Sequence, residues 1–175
     1  MESVLTAFII ILLILFGGLT LFQDSLTAQE TLHISWQEME TRLTEQAHTD
    51  LTPISAETKS SGSVIELVLR NDGDTRLVDF ANWDIIVQYY TASSNYNIAW
   101  LAYDASAPTA GEWTVVGIYS DTANAISEQF EPQILNPGEE MLLRLRVVPP
   151  IGPNTTNLAT IATDNGTTTA TLFTR

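Results

Sequence analysis

The sequence predicts an α+β protein in which one long N-terminal α-helix precedes an antiparallel β-sandwich. The first half of the expected helix is an almost unbroken apolar run, Val4–Phe22. From Ser63 onward, β-branched and aromatic residues alternate with polar residues between short turn sequences, which is the pattern of half-buried strands. We therefore predict a helical segment at residues 1–52 and an outer β-domain at residues 53–175.

The apolar run is long enough to cross a membrane. No charged residue occurs from Ser3 to Gln23, and a helix of about 20 apolar residues spans the hydrocarbon core of a bilayer. A secretory signal peptide would carry a basic flank and a small-residue cleavage site, but the first basic residue here is Arg42. We therefore expect the segment to be retained. One explanation for the missing basic flank is that a short basic leader has been removed and that Met1 is the mature first residue.

The helix is predicted to continue beyond the apolar run. Apolar residues recur mostly at spacings of three and four from Phe22 to Ala47, and neither Gly nor Pro occurs between Gly18 and Pro53. The opposite face is acidic, and Pro53 is expected to end the helix. A helix that is apolar all round, as in the first half, is stable only in lipid or inside a bundle of helices.

Seven strands are predicted in the second part of the chain, after a connector at residues 52–62. Asn71-Asp72-Gly73-Asp74 predicts a tight hairpin turn or bulge, and Asn136-Pro137-Gly138 and Asp164-Asn165-Gly166 predict further turns. Seven short strands with no helical pattern between them indicate an immunoglobulin-like sandwich. The predicted strands are Val64–Arg70, Asp84–Tyr90, Ile98–Tyr103, Trp113–Tyr119, Glu140–Val148, Leu158–Thr163 and Thr168–Phe173.

Composition excludes several classes of function. The chain has 7 Lys+Arg against 21 Asp+Glu and a net charge of −14, which leaves too little positive charge for nucleic-acid binding. It has no Cys, which excludes disulfides and thiolate metal sites, and none of the common catalytic motifs. We therefore expect no enzyme activity, no cofactor and no metal site. His33 and His48 lie on the acidic helix and are expected at a surface or an interface.

Some polar and aromatic residues allow two interpretations. Asp72, Asp74 and Asp79 could supply oxygen ligands to calcium, although turn formation explains the first two more simply. The 4 Trp residues could form a ligand platform, but in a sandwich of this size we expect them in the core or at an interface. Asn154 and Asn165 occupy N-x-Thr sequons and are candidate glycosylation sites in an exported protein; Asn154, in a Pro-rich loop, is the better candidate.

The apolar half of the helix supplies the candidate residues for self-assembly. A repeating contact that does not close on itself produces a helical filament, and this helix would be buried in its core. Glu2 is either an interfacial residue at the helix end or the partner of a neighbouring chain's α-amino group. The predicted polymerisation core comprises Val4, Leu5, Phe8, Ile9, Leu12, Leu13, Leu15, Phe16, Leu19, Phe22 and Leu26.

This architecture resembles the type IV filament superfamily, and within it the archaellins, the subunits of the archaeal-type flagellum. Two segments carry the finer resemblance: Val64–Asp74, an apolar strand followed by Asn-x-Gly, and Leu135–Glu139, which leads into the strand Met141–Val148. Leu5 stands where bacterial type IV pilins typically carry a glutamate, which favours an archaellin over a bacterial pilin.

The resemblance implies a structural subunit of a motility filament. Its partners would be further copies of itself, a prepilin-type peptidase that removes the leader, and the filament assembly machinery. The subunit would lie in the cytoplasmic membrane before assembly and in an extracellular surface filament afterwards. Two alternatives remain open: an adhesive pilin, and a single-pass membrane protein whose immunoglobulin-like domain is a binding or accessory module.

Overall fold

A computed structural model describes residues 2–128 and 130–175, without the side chains of Glu2 and Val4. The roles predicted for Met1, Glu2 and Val4 therefore fall outside the described residues. The described part divides into two compact units, with the boundary between Thr44 and Glu45. Its elements are α1 (Glu2–Ala47), β1 (Leu51–Lys59), β2 (Val64–Asn71), β3 (Asp84–Tyr90), β4 (Tyr96–Tyr103), β5 (Glu112–Asp121), β6 (Ile126–Ser127), β7 (Glu140–Arg146), β8 (Thr156–Ala162) and β9 (Thr168–Thr174).

The β-domain is a sandwich of two mainly antiparallel sheets. One sheet has the strand order β1-β2-β7-β5, with the short β6 also paired to β5, and the other has the order β4-β3-β8-β9. β4 and β5 connect the sheets through the parallel register pairs Ala102–Glu112 and Tyr103–Trp113. The predicted fold class, a long helix followed by an antiparallel immunoglobulin-like sandwich, is therefore confirmed.

Alternate side chains of both sheets form one apolar core. Ile65, Leu67 and Leu69 of β2 are fully buried, as are Leu143 and Leu145 of β7, in keeping with the two-residue period of a strand. Each such side chain contributes about 1.5–3 kcal/mol relative to exposure to water. The intervening residues of each strand form the two outer faces of the sandwich.

The helix ends earlier than predicted, and the strand after it was missed. α1 ends at Ala47, and Leu51–Lys59, most of which was interpreted as a connector, is strand β1. Pro53 does not end the helix but lies within β1, where the register with β2 shifts between Pro53 and Ser55. Because β1 is the terminal strand of its sheet, a residue without an N–H donor is tolerated there. The seven predicted strands are confirmed as β2, β3, β4, β5, β7, β8 and β9, with ends shifted by no more than two residues.

The segment Asn71–Asp74 does not form the hairpin turn that was predicted. Gly138 and Gly166 have positive φ angles of 84° and 88°, as the other two turns require, whereas Gly73 is not among the positive-φ residues. A Cβ atom at Gly73 would lie 2.4 Å from the His48 carbonyl oxygen and 2.5 Å from the Asp50 nitrogen. Glycine is therefore needed at this position for the close approach of two backbone segments.

Candidate functional site

The side chains of the predicted polymerisation core are exposed. From Leu5 to Leu26 their exposed fractions run from 49% to 67%. α1 has the length and composition of a membrane-spanning helix, with a mean hydropathy of 2.7 in its most apolar part. Such a surface is unfavourable in water, so this half of the helix requires lipid or other helices around it. The filament-core role of these residues stays a prediction.

A second exposed apolar surface lies on the outer face of the sheet β4-β3-β8-β9. Ile98 and Trp100 of β4 are 65% and 60% exposed, and Leu172 of β9 is 68% exposed. Register pairing places Ile98, Gln88, Leu158 and Leu172 in one row across the four strands. We call this surface the aromatic face; it is formed by Tyr90, Tyr96, Ile98, Trp100, Leu158 and Leu172.

The aromatic face is nearly free of charge. The one charged residue at the outward positions of these strands is Asp84. Its carboxylate accepts a hydrogen bond from the Trp100 indole N–H at 2.8 Å. The Tyr90 and Tyr96 ring centroids are 5.2 Å apart, and the Tyr96 hydroxyl donates to Gln88 Oε1 at 2.7 Å. In a chain with a net charge of −14, another protein can pack on such a face without strong like-charge repulsion.

Sequence reasoning placed the Trp residues in the core or at an interface but did not identify the aromatic face. Trp83 and Trp113 are buried in the core, whereas Trp100 belongs to the exposed face. The available signal was the segment Tyr96–Leu101, in which apolar residues occupy outward as well as inward positions. A strand with a solvated outer face would instead show polar residues at every second position.

The acidic residues near the end of α1 are held by local bonds. Arg70 donates a hydrogen bond to Asp72 at 2.6 Å, and this bond lowers the pKa of Asp72. Asp74 lies 3.5 Å from the His48 imidazole. Within residues 2–128 and 130–175, no three His, Asp or Glu side chains form a group that could hold a metal ion. Asp72, Asp74 and Asp79 therefore do not assemble the calcium site that was considered.

The two sequons differ in the accessibility of their amides. Asn154 is exposed, with a φ of 56°. The Asn165 amide instead donates to Thr49 Oγ1 at 2.8 Å, and its Oδ1 accepts from the Thr163 hydroxyl at 2.6 Å. A sugar on the Asn165 nitrogen would replace one of its two hydrogens and would have to fit beside Thr49 Oγ1. Glycosylation stays a prediction, with Asn154 as the more accessible acceptor.

The structure defines a class of protein with two parts: a helix that needs an apolar environment, joined in sequence to an immunoglobulin-like domain with an exposed apolar face. The chain belongs to the family of conserved flagellar protein F, whose immunoglobulin-like domain model matches residues 48–171. No curated protein matches the chain.

Solved structures with a similar fold come from the archaellum. The archaellum periplasmic stator protein FlaG from Sulfolobus acidocaldarius has a TM-score of 0.53 and 21% identity, over 71% of this chain and 99% of that chain. The archaeal flagellum of Methanospirillum hungatei strain JF1 has a TM-score of 0.58 and 14% identity, over 97% of this chain and 92% of that chain. Together with the family match, these similarities confirm the expected resemblance at the level of an archaellum-related protein.

Proposed function

We propose that the chain is a membrane-anchored, stator-type component of the archaellum. The observation that carries this proposal is the match of residues 48–171 to the flagellar protein F domain. The likeness in fold to the stator protein FlaG, which extends over 99% of that chain, supports it. In this role the apolar half of α1 stays in the cytoplasmic membrane, and the β-domain works on the outer side.

The distribution of charge along α1 supports an anchor over a filament core. The second half of the helix carries Asp24, Glu30, Glu38, Glu40 and Glu45 against the single basic residue Arg42. Helices packed side by side lie about 8–10 Å apart, which is about one Debye length at physiological salt. With this screening, like charges at about 9 Å repel by about 0.6 kcal/mol per pair at an effective dielectric constant of 20. A bundle of parallel copies would therefore lose stability in this region, whereas a single anchor helix would not.

The aromatic face supports a protein partner for the domain. We propose that it packs against a second immunoglobulin-like domain of the same apparatus, because an uncharged sheet face fits another such face. This contact would leave the acidic remainder of the surface in solvent, where like-charge repulsion is screened.

A filament subunit is the second candidate function. The similarity to the M. hungatei flagellum favours it, because that similarity extends over 97% of this chain and thus includes the helix. In this role the exposed residues of the predicted polymerisation core would contact other copies after a prepilin-type peptidase has removed a leader.

Cell fractionation distinguishes the two functions. Filaments are sheared from cells of the source organism, and the chain is quantified in the sheared filaments and in the membranes. We expect it in the membranes, in small amounts relative to the filament subunit, and we expect cells without its gene to build filaments but not to swim. A chain that is the main component of the sheared filaments would overturn the stator-type proposal and establish the filament candidate.

A matched pair of variants tests the role of the aromatic face. Ile98→Glu places a charge on this face, while Ile126→Glu changes an apolar residue of β6 that is 48% exposed elsewhere. We expect only Ile98→Glu to abolish swimming and to reduce the size of the detergent-extracted complex. Equal behaviour of the two variants would contradict the proposed contact.

A further inference from the structure

A cleft lies on the outer face of the sheet β1-β2-β7-β5, on the side of the sandwich opposite the aromatic face. Its volume is ≈ 520 Å³, within the range of about 300–1,000 Å³ that is typical of ligand sites. Val64 and Thr114 line it together with Arg144 and Arg146 of β7, and Lys59 lines it at the end of β1. We call it the Arg146 cleft.

The cleft concentrates positive charge in a strongly acidic chain. Three of the 7 basic residues line it. Lys59 lies 2.5 Å from a Glu57 carboxylate oxygen, and Arg144 lies 2.8 Å from a Glu66 carboxylate oxygen. These two positive charges are thus already compensated. Arg146 makes no ion pair with any residue that the structure describes.

Arg146 and Thr114 have unused hydrogen-bonding capacity. Arg146 donates through Nη1 to the Pro108 carbonyl oxygen at 3.2 Å, which engages one of the five N–H donors of a guanidinium. Thr114 is 4% exposed, and its hydroxyl finds no hydrogen-bond partner in the described part of the chain. Thr114 lies opposite Arg144 in the register of β5 and β7. A buried hydroxyl without a partner is unfavourable, and a bound acceptor would satisfy it.

We propose that the Arg146 cleft binds a single carboxylate, presented by an acidic side chain in a segment of a partner protein. The planar guanidinium of Arg146 matches a carboxylate through two parallel hydrogen bonds, and the Thr114 hydroxyl donates to the same group. Since compensation leaves one net positive charge, the cleft suits one carboxylate rather than a polyanion such as nucleic acid. Val64 and the Pro108 ring offer apolar contact to the methylene groups of the side chain. The cleft would bind this ligand whether the chain acts in a stator or in a filament.

A blocked tripeptide tests the site on the full chain in nonionic detergent. The probe is acetyl-Gly-Glu-Gly-amide, in which the Glu side chain is the only carboxylate, and acetyl-Gly-Gln-Gly-amide is the matched neutral control. Amide and guanidinium N–H signals are followed by NMR during titration. We expect saturable shifts at Thr114 and at Arg146 Nε with the Glu peptide, and at least about tenfold weaker binding of the Gln peptide.

Substitutions identify the groups that bind. Arg146→Gln should weaken binding about tenfold, Arg146→Lys should retain part of it, and Arg76→Gln should leave it unchanged, because Arg76 pairs with Glu131 outside the cleft. Thr114→Val should raise the melting temperature of the free chain and still weaken binding about threefold. Equal affinity for the Glu and Gln peptides, or wild-type affinity in Arg146→Gln or in Thr114→Val, would overturn the assignment. Tighter binding of glucuronate than of the Glu peptide would overturn the protein source of the carboxylate.

Discussion

Asn71→Asp should destabilise the β-domain strongly although it preserves the shape of the side chain. Asn71 is fully buried, and its Nδ2 donates to Thr75 O at 2.8 Å and to Leu135 O at 3.0 Å, while its Oδ1 accepts from Gly73 N at 3.1 Å. An aspartate can still accept the bond from Gly73 N. Its second carboxylate oxygen, however, has no proton to donate and faces the carbonyl oxygens of Thr75 and Leu135. The Leu135 carbonyl oxygen still accepts from Leu77 N at 3.1 Å, but two lost bonds, the Thr75 carbonyl oxygen left without this donor and a buried charge amount to about 4 kcal/mol or more at neutral pH. This is a large part of the 5–15 kcal/mol that is usual for a domain.

The loss should depend on pH with a defined sign. The buried site raises the pKa of the introduced carboxyl above its unfolded value of about 3.9. The folded variant then holds a proton that the unfolded chain has released, so its stability falls as pH rises through this range. Urea unfolding of the full chain in detergent, followed by the fluorescence of the buried Trp83 and Trp113, measures the effect at pH 4 and pH 7. The exposed substitution Asn154→Asp is the control. A loss below about 1 kcal/mol, or an equal loss at both pH values, would refute the reasoning.

Three further outcomes are expected. Gly73→Ala should lower the free energy of unfolding by about 2–3 kcal/mol, because the new Cβ meets backbone atoms. The control is Gly111→Ala, a position with open space and a φ of +84°, where the loss should be about 1 kcal/mol. Equal losses in urea unfolding would contradict the close-approach explanation. Hydrogen bonds from the Ser106 backbone and hydroxyl lower the pKa of Asp104, so the Asp104 carboxylate stabilises the fold above its ordinary pKa, and this stabilisation is lost as pH falls. In Asp104→Asn, the melting temperature should therefore fall less steeply towards acid pH. An unchanged dependence of the melting temperature on pH would argue against this role of Asp104. Peptide mass mapping of material from the source organism should find any N-linked glycan on Asn154 and none on Asn165, and a glycan on Asn165 would show that its contact with Thr49 does not prevent modification.

Local patterns were sufficient to predict the helix and seven of the strands, but not β1. The segment Leu51–Lys59 contains Pro53 and several Ser and Thr residues, which locally indicate a connector. It becomes a strand because it pairs with β2 along its whole length, and such pairing between separate segments outweighs local propensity. The same holds for Asn71 and Gly73. Their types suggested turn chemistry, and Asn71 does accept a bond from Gly73 N. The local pattern did not show that the same amide is buried and donates to two carbonyl oxygens, or that Gly73 is a contact point for the backbone near His48.

The candidate surfaces were predictable to different degrees. The apolar half of α1 depends only on consecutive residues, so the sequence was sufficient to predict a long apolar helix there, while its role in polymerisation stays a prediction. The Arg146 cleft escaped detection because Lys59 and Arg146 are far apart in sequence and meet only through the strand order β1-β2-β7. The aromatic face was missed for a related reason, since β9 joins β4 in one surface only through β3 and β8.

The cleft and the aromatic face lie on opposite sides of the sandwich, so the two proposed contacts together would make the β-domain bivalent. The two packed sheets, which are themselves roughly 10 Å apart, lie between the groups bound on the two outer faces, so neither ligand blocks the other. Where the two partners are parts of one assembly, binding on one side would make the second contact intramolecular and raise the local concentration of its partner to the millimolar range for a short tether. Two individually weak contacts would then hold the domain firmly, while each could still be released alone.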